Sequence, residues 1–430
     1  MTEQGLTRTL PVRFLLAVVI GGVIGLGILR GPGEIAEVIP DPIFYLALWL
    51  FGGLFVLLST AVTAELVGMT PRSGGTYSLI RRAFGPFPGF VIGWVDWLSF
   101  VADIAIKAVV ILEFVAILFP EMAPWRTPLS IIVTTLFAAL QLRGIALTAI
   151  VQEIATAAIG LVIVGLALLL LFVDASAISV TNSAPDSAGL SDWSLVIATI
   201  IFTYDGWLYA AYFSGEIKGG PGAVARSCIK GVIVVIALYM LLNVALVKSV
   251  GLSALAGSDL ALAHALELVT SPAVGSAVVV AAILILLSHQ NLGYMGAPRV
   301  LHALAVDGFA AQHAQKVGKG GNPVFAVLVT WLLSVGLILV GGFEFLLLFS
   351  VFLFLPLYLV LIIGVIILRK REPDSERPYR AWGHPYSTYA CLIGWTVITV
   401  FQAFVERETA VYAVAIVAVS WPVYLYLARR

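Results

Sequence analysis

Among the ionisable side chains inside largely apolar stretches, five stand out: Asp96, Asp103 and Lys107 within residues 89–119, Asp205 within 193–214, and His289 within 272–298. Charge in such surroundings is costly, so each is a candidate for function before it is a candidate for structure. Asp103 and Lys107 are four residues apart and share one helical face, where they either neutralise each other structurally or relay a proton. His289 lies in Ser288-His289-Gln290-Asn291 and offers a group that titrates near neutrality or a polar contact between helices. Arg30, late in the first apolar stretch, or Lys107 is a candidate counter-charge for Asp205, Arg30 foremost, because an unpaired carboxylate in hydrocarbon costs several kcal/mol. The groups are spread over several stretches at mid-depth, and no catalytic, phosphate-binding or metal signature accompanies them; no cofactor is expected.

The backbone offers a second kind of chemistry. Gly21-Gly22-Val23-Ile24-Gly25-Leu26-Gly27-Ile28-Leu29-Arg30-Gly31-Pro32-Gly33 interrupts the first apolar stretch where a continuous helix is otherwise expected. Glycine costs a helix roughly 1 kcal/mol against alanine, and lipid has no water to satisfy freed peptide groups. Such a cluster suits either close helix packing through small residues or a backbone that lines a polar cavity. A second interruption, Phe202-Thr203-Tyr204-Asp205-Gly206-Trp207, follows about 180 residues later in the sixth apolar stretch. Each interruption begins a run of five stretches. Paired breaks at matching positions of two halves favour a ligand site near the bilayer midplane, although no residue-level repeat joins the halves.

The elements that must position these groups follow from composition. Of 430 residues, 61% are hydrophobic and 11% charged, and the mean hydropathy is +1.05, which makes the chain an integral membrane protein. Apolar runs of about 20 residues suit transmembrane helices, and the alternation of a membrane barrel is missing. Twelve spans are expected at 14–38, 43–69, 89–119, 128–143, 145–173, 193–214, 228–250, 272–298, 323–341, 344–368, 386–404 and 409–428. The first span has no cleavage site and reads as a retained helix. Under this arrangement 19 of the 24 Lys and Arg lie on one side, which places both termini in the cytoplasm of a multi-pass plasma-membrane (or bacterial inner-membrane) protein. Zero net charge argues against nucleic acid as a partner, and Cys228 and Cys391 imply no disulfide framework.

Between the spans, Glu65 through Tyr77 contains Pro71, Gly74 and Gly75 and reads as a shaped cytoplasmic loop, suited to a turn or a hinge, with Arg72 as the partner of Glu65. Residues 174–192, with Asp174, Asp186 and Asp192, read as a solvated outer loop. Residues 252–270 are expected to form short outer helices, and 369–384 an Arg-rich cytoplasmic linker.

Four blocks in order resemble the amino acid–polyamine–organocation transporter superfamily, nearest its L-type amino acid transporter branch. They are Gly22 to Ile28; Glu65 to Tyr77; Phe202 to Trp207 with Glu216-Ile217-Lys218; and Gly296 to Leu301 with Asp307-Gly308. The resemblance implies an all-α fold: a tail (1–13), a five-helix repeat (14–173), its inverted counterpart (193–368), and two accessory helices (386–428). It implies secondary transport of amino acids or related amines by alternating access, as exchanger, facilitator or proton-coupled symporter; a membrane-embedded enzyme and a channel or sensor are the alternative classes. It implies that the N–H groups of Gly25, Leu26 and Gly27 bind the substrate carboxylate. The carbonyls of Val23, Phe202 and Asp205 would accept from the ammonium, with Ile24 and Thr203 in the same two segments. A helix resuming after a break presents free amides and a positive dipole end, which agrees with the first of these roles. Three features depart from the superfamily's pattern: Ile159 stands where a lysine is usual, Asp205 where L-type relatives carry a small residue, and two cations are added, Arg30 close after the first break and Lys107 in the third span.

Overall fold

The computed structural model describes residues 6, 8–172, 188–258, 260–340 and 343–428. Asp174 and Asp186 of the expected outer loop lie outside the described residues, as do Arg429 and Arg430.

The chain is all-helical among the described residues, with one isolated bridge between Leu10 and Ile217. In order the helices are α1 (Val12–Val23), α2 (Leu26–Val38), α3 (Pro42–Met69), α4 (Gly75–Phe84), α5 (Pro86–Leu118), α6 (Arg126–Leu142), α7 (Ile145–Phe172) and α8 (Leu190–Tyr204). A 3-10 stretch, Tyr209–Glu216, continues α8 after a gap. Then follow α9 (Pro221–Ser249), α10 (Leu252–Leu255), α11 (Ala261–Val269), α12 (Pro272–Val306), α13 (Val324–Val340), α14 (Phe343–Arg371), α15 (Tyr386–Val405) and α16 (Arg407–Ala428). Among the described residues, eight segments are long and apolar enough to cross a membrane, counting Val12–Val38 and Leu190–Glu216 as one each.

Side-chain placement inverts the pattern of a water-soluble helix. On α7 the buried face carries Thr148, Gln152, Thr156, Ile159 and Ile163, whereas Ile154 and Leu161 are 66% and 76% exposed. Hydrocarbon solvates leucine and isoleucine as well as a protein core does, so small and hydrogen-bonding residues turn inward instead. Thr156 donates to the Ala17 carbonyl, Gln152 to Ser288, and Asn291 to Gln152, which joins α7 to α1 and α12. Helix α5 is buried on nearly all sides and lies at the centre, against α12, α14, α4 and α6.

The segment Glu65 to Tyr77 is not arranged wholly as expected. Its turn is tight, as the proline and glycines suggested, and Gly74 (φ 113°) and Gly75 (φ 55°) take left-handed conformations from which α4, a helix not expected there, starts. A side chain at Gly75 would also run into the Tyr212 ring. Nor is Arg72 the partner of Glu65. The Glu65 carboxylate accepts from Arg369 (2.8 Å from Nε, 2.5 Å from Nη2), from Arg377 Nε (3.1 Å) and from the Ala381 amide (2.8 Å). The Arg-rich 369–384 segment therefore clamps α3, while Arg72 donates to Asp307 at 3.2 Å. A buried carboxylate needs several donors, and two guanidiniums plus an amide supply more than one arginine could.

Candidate functional site

Both interrupted helices break where the residue pattern placed the interruptions. Helix α1 ends at Val23 and α2 begins at Leu26, with Ile24 extended and Gly25 likewise non-helical (φ −142°, ψ −148°) between them. Helix α8 ends at Tyr204; Asp205 is extended and Gly206 is left-handed at φ 96°. The two breaks are adjacent. A Cβ on Gly206 would strike the Gly22 carbonyl, and one on Gly27 would lie 2.5 Å from Thr203 Cα. Only glycine permits that crossing, since a non-glycine residue at Gly206 meets both strain and a neighbouring backbone.

Tyr239 of α9 ties the two ends together. Its hydroxyl lies 2.8 Å from the Val23 carbonyl and 3.1 Å from the Thr203 carbonyl, both at C-terminal ends of interrupted helices. One hydroxyl hydrogen is thus shared between two orphan acceptors, and Trp49 and Tyr204 pack about its ring. Nothing in the apolar run around Tyr239 marks it as a site residue; only the fold brings it to the breaks. Tyr239→Phe leaves two buried carbonyls without this donor. We expect a stability loss of about 1–2 kcal/mol, measured by thermal unfolding in detergent, together with lowered uptake.

A small cavity lies against the breaks. Its wall includes Gly25, Leu26 and Gly27 on one side, Phe202 and Asp205 on another, and Lys107 on a third. The opening amides of α2 have no helical carbonyl one turn earlier to donate to, and Gly25 supplies no capping side chain. Thr203 and Ile24 stand behind this surface. The Thr203 hydroxyl donates back to Thr199 O at 2.6 Å, and the Ile24 carbonyl is taken up by His289.

The ionisable groups form one chain. Lys107 Nζ lies 2.5 Å from Asp103 Oδ2 and 2.7 Å from His289 Nδ1, and His289 Nε2 lies 2.9 Å from Ile24 O. An ammonium has donors only, so it donates to Nδ1 and the ring hydrogen sits on Nε2, pointing at the Ile24 carbonyl. The i,i+4 pair expected on α5 is therefore extended through His289 into the first break. The ring also lies 2.8 Å from where a Cβ on Gly25 would be, so this glycine is needed for the histidine to reach the break.

Asp205 is not paired with Arg30. Its carboxylate accepts from the Tyr358 hydroxyl of α14, and Arg30 lies with Glu113 of α5 at 3.4 Å. The cation sharing the Asp205 cavity is Lys107. The reason is geometric: Arg30 sits on α2 beyond the break, toward the end of the bundle covered by α10 and α11, where the Gly257 amide donates to the Gly33 carbonyl. The short helices expected over 252–270 are these two.

A second cavity adjoins the first and shares Asp103, Asp205 and Tyr209 with it. Its far wall holds Asp96, which accepts from the Thr76 hydroxyl and from the Tyr212 hydroxyl at 2.8 Å. Tyr358 and Tyr212 join the site from apolar stretches and, like Tyr239, carry no local signal in the sequence. Ile159 is buried beside an apolar cavity between α7 and α12, so the position that departs from the superfamily's lysine is uncharged in its surroundings too.

Ionic contacts close each end. Toward the α4 end, Asp307 accepts from Arg72 (3.2 Å), Arg81 (2.9 Å) and Tyr77 (2.8 Å), and Glu216 accepts from Arg299 (3.5 Å) and Ser73 (3.4 Å). Toward the α10–α11 end stand Arg30–Glu113 and the Thr199 hydroxyl donating to Glu34 at 2.8 Å. Glu372, just past α14, is held below the ordinary carboxylate range by the Arg82 guanidinium and stays ionised.

Comparison with known proteins agrees with this architecture. The family model for amino acid permeases matches residues 13–427. The chain is 24% identical to the serine/threonine exchanger SteT of Bacillus subtilis, covering all of this chain and 98% of that protein. It is 27% identical to the gamma-aminobutyric acid permease of the same organism, covering 94% and 90% respectively. It is 22% identical to the D-serine/D-alanine/glycine transporter of Escherichia coli, covering 94% and 87%. With a family match along nearly its whole length, the chain belongs to the amino acid permeases, within the amino acid–polyamine–organocation superfamily.

Proposed function

We propose that this permease is a secondary active transporter that grips the zwitterionic head of an amino acid between its two interrupted helices. The substrate carboxylate takes the amides of Gly25, Leu26 and Gly27, where unsatisfied N–H groups and the α2 dipole favour an anion. The ammonium takes Asp205, with the remaining lone pairs of the Val23 and Phe202 carbonyls. The observation that carries this reading is that the start of α2 and Asp205 line one cavity at the crossing of the breaks. A donor-rich surface thus faces an acceptor across the space that a zwitterion would fill.

Lys107 joins the carboxylate side. Two of its three N–H groups are engaged by Asp103 and His289, and the residue lines the cavity, so the third is placed to donate to substrate. Lys107→Gln is expected to narrow the preference for an amino acid over its methyl ester about tenfold, the equivalent of one charge-assisted hydrogen bond. Competition for labelled uptake measures the ratio.

In this reading the chain crosses the membrane twelve times with both termini cytoplasmic. Residues 14–173 and 193–368 form two inverted five-helix units, and 386–428 form accessory helices. The ion pairs at the α4 end and the α10–α11 end serve as alternating gates, with Gly74 and Gly75 as a hinge. The Asp103–Lys107–His289 chain is the candidate path for a coupled proton. Binding of labelled amino acids to purified protein, followed by counterflow in liposomes with and without a proton gradient, tests the function. Enzymatic turnover without vectorial flux would refute it.

A further inference from the structure

We infer a binding site for a phosphate group at the α4 end of the bundle, apart from the substrate cavity. An open cavity of about 420 Å³ lies where α3, α4 and α5 meet, lined by Thr70, Arg72, Ser78, Arg81 and Arg82. Thr70 is 3% exposed, yet its hydroxyl has no hydrogen-bond partner. The Nε atoms of Arg72 and Arg81 are likewise buried and unpaired. Buried donors without acceptors are costly, and three around one cavity call for an acceptor-rich occupant.

The charge of the surroundings fixes the sign of that occupant. Arg72 and Arg81 share a single carboxylate, Asp307, and Arg82 is paired with Glu372 at 2.8 Å. Arg371 adds a further cation, donating to the Arg82 and Ala83 carbonyls. Four guanidiniums thus face two carboxylates. Each of the three lining arginines keeps about 30% of its side chain exposed, so the cavity opens outward. Guanidinium N–H groups match phosphate oxygens, and a threonine hydroxyl completes such a cradle. Its position at the polar end of the α3 and α5 spans suits a phosphate carried by a lipid headgroup as well as a free one. Because the occupant shares Arg72 and Arg81 with Asp307, it would bear on the link between α4 and the end of α12.

The test uses the full chain and two phosphate sources. In non-ionic detergent, inorganic phosphate should raise the unfolding temperature saturably relative to chloride at equal ionic strength. In nanodiscs, phosphatidylglycerol should do so relative to phosphatidylcholine, and native mass spectrometry should retain a bound lipid. Thr70→Val keeps every charge and removes only an unpaired hydroxyl. It should therefore unfold at the wild-type temperature without anion and bind several-fold more weakly, while Arg81→Gln binds about tenfold more weakly. Response to phosphate alone identifies a free phosphate ligand, and response to phosphatidylglycerol alone identifies a headgroup. The inference is overturned if neither source stabilises the protein, or if both variants respond as the wild type does.

Discussion

Gly27→Val abolishes uptake, a loss of at least about a hundredfold, while the protein still inserts and purifies as a folded monodisperse species. The position has no room for a side chain: even a Cβ would lie 2.5 Å from Thr203 Cα, a backbone atom that cannot rotate away. Relief requires α2 to move off α8, which separates the start of α2 from Asp205. Overpacking of this kind typically costs 1–3 kcal/mol, little enough for a large helical bundle to survive. Its effect on the cavity is far larger, because a shift of about 1 Å at a site that works by positioning costs about two orders of magnitude. Binding of labelled amino acid to purified variant, beside its unfolding temperature, separates the two effects. Normal uptake by this variant would contradict the carboxylate cradle.

Asp205→Asn is the second large effect. The substitution keeps the shape of the side chain and its acceptor toward the Tyr358 hydroxyl, and removes the charge proposed to meet the substrate ammonium. Charge-assisted hydrogen bonds contribute about 1.5–3 kcal/mol, so affinity for zwitterionic amino acids falls about 10- to 100-fold. The pH dependence of uptake is expected to change as well, because the substituted amide has no proton to titrate. Initial rates across a pH series in proteoliposomes measure both. An unchanged affinity and pH profile would remove Asp205 from the mechanism.

The helix breaks were legible in the sequence because lipid leaves a chain few choices. An apolar stretch that accumulates Gly21, Gly22, Gly25, Gly27 and Pro32 cannot hide its cost in solvent, so its interruption is visible before any tertiary contact is known. The Asp103–Lys107 pair was legible for a similar reason: the spacing of an α-helix places the two on one face, and they lie 2.5 Å apart. Helix α4 was harder to see, because it starts at Gly75 straight after Gly74 and has neither the length nor the apolarity of a span.

The ion pairs were misassigned because nearness in sequence pointed to Arg72 for Glu65, and charge balance alone pointed to Arg30 for Asp205. Glu65 found Arg369 and Arg377, some three hundred residues on, in place of Arg72; Asp205 found Tyr358 in place of Arg30. Tyr239 illustrates the same limit, since one hydroxyl in an apolar run acquires meaning only when two distant breaks converge on it.

Composition, hydropathy and the placement of glycines determined by themselves that this chain is a helical membrane protein whose first and sixth apolar stretches are interrupted. Those properties are local, set by what each segment costs in hydrocarbon. The partner of each buried charge, the tyrosines that reach the breaks, and the arginine-lined cavity beside α4 were decided by the tertiary structure alone. They depend on which helices become neighbours, and contacts across hundreds of residues leave no periodic trace in the chain.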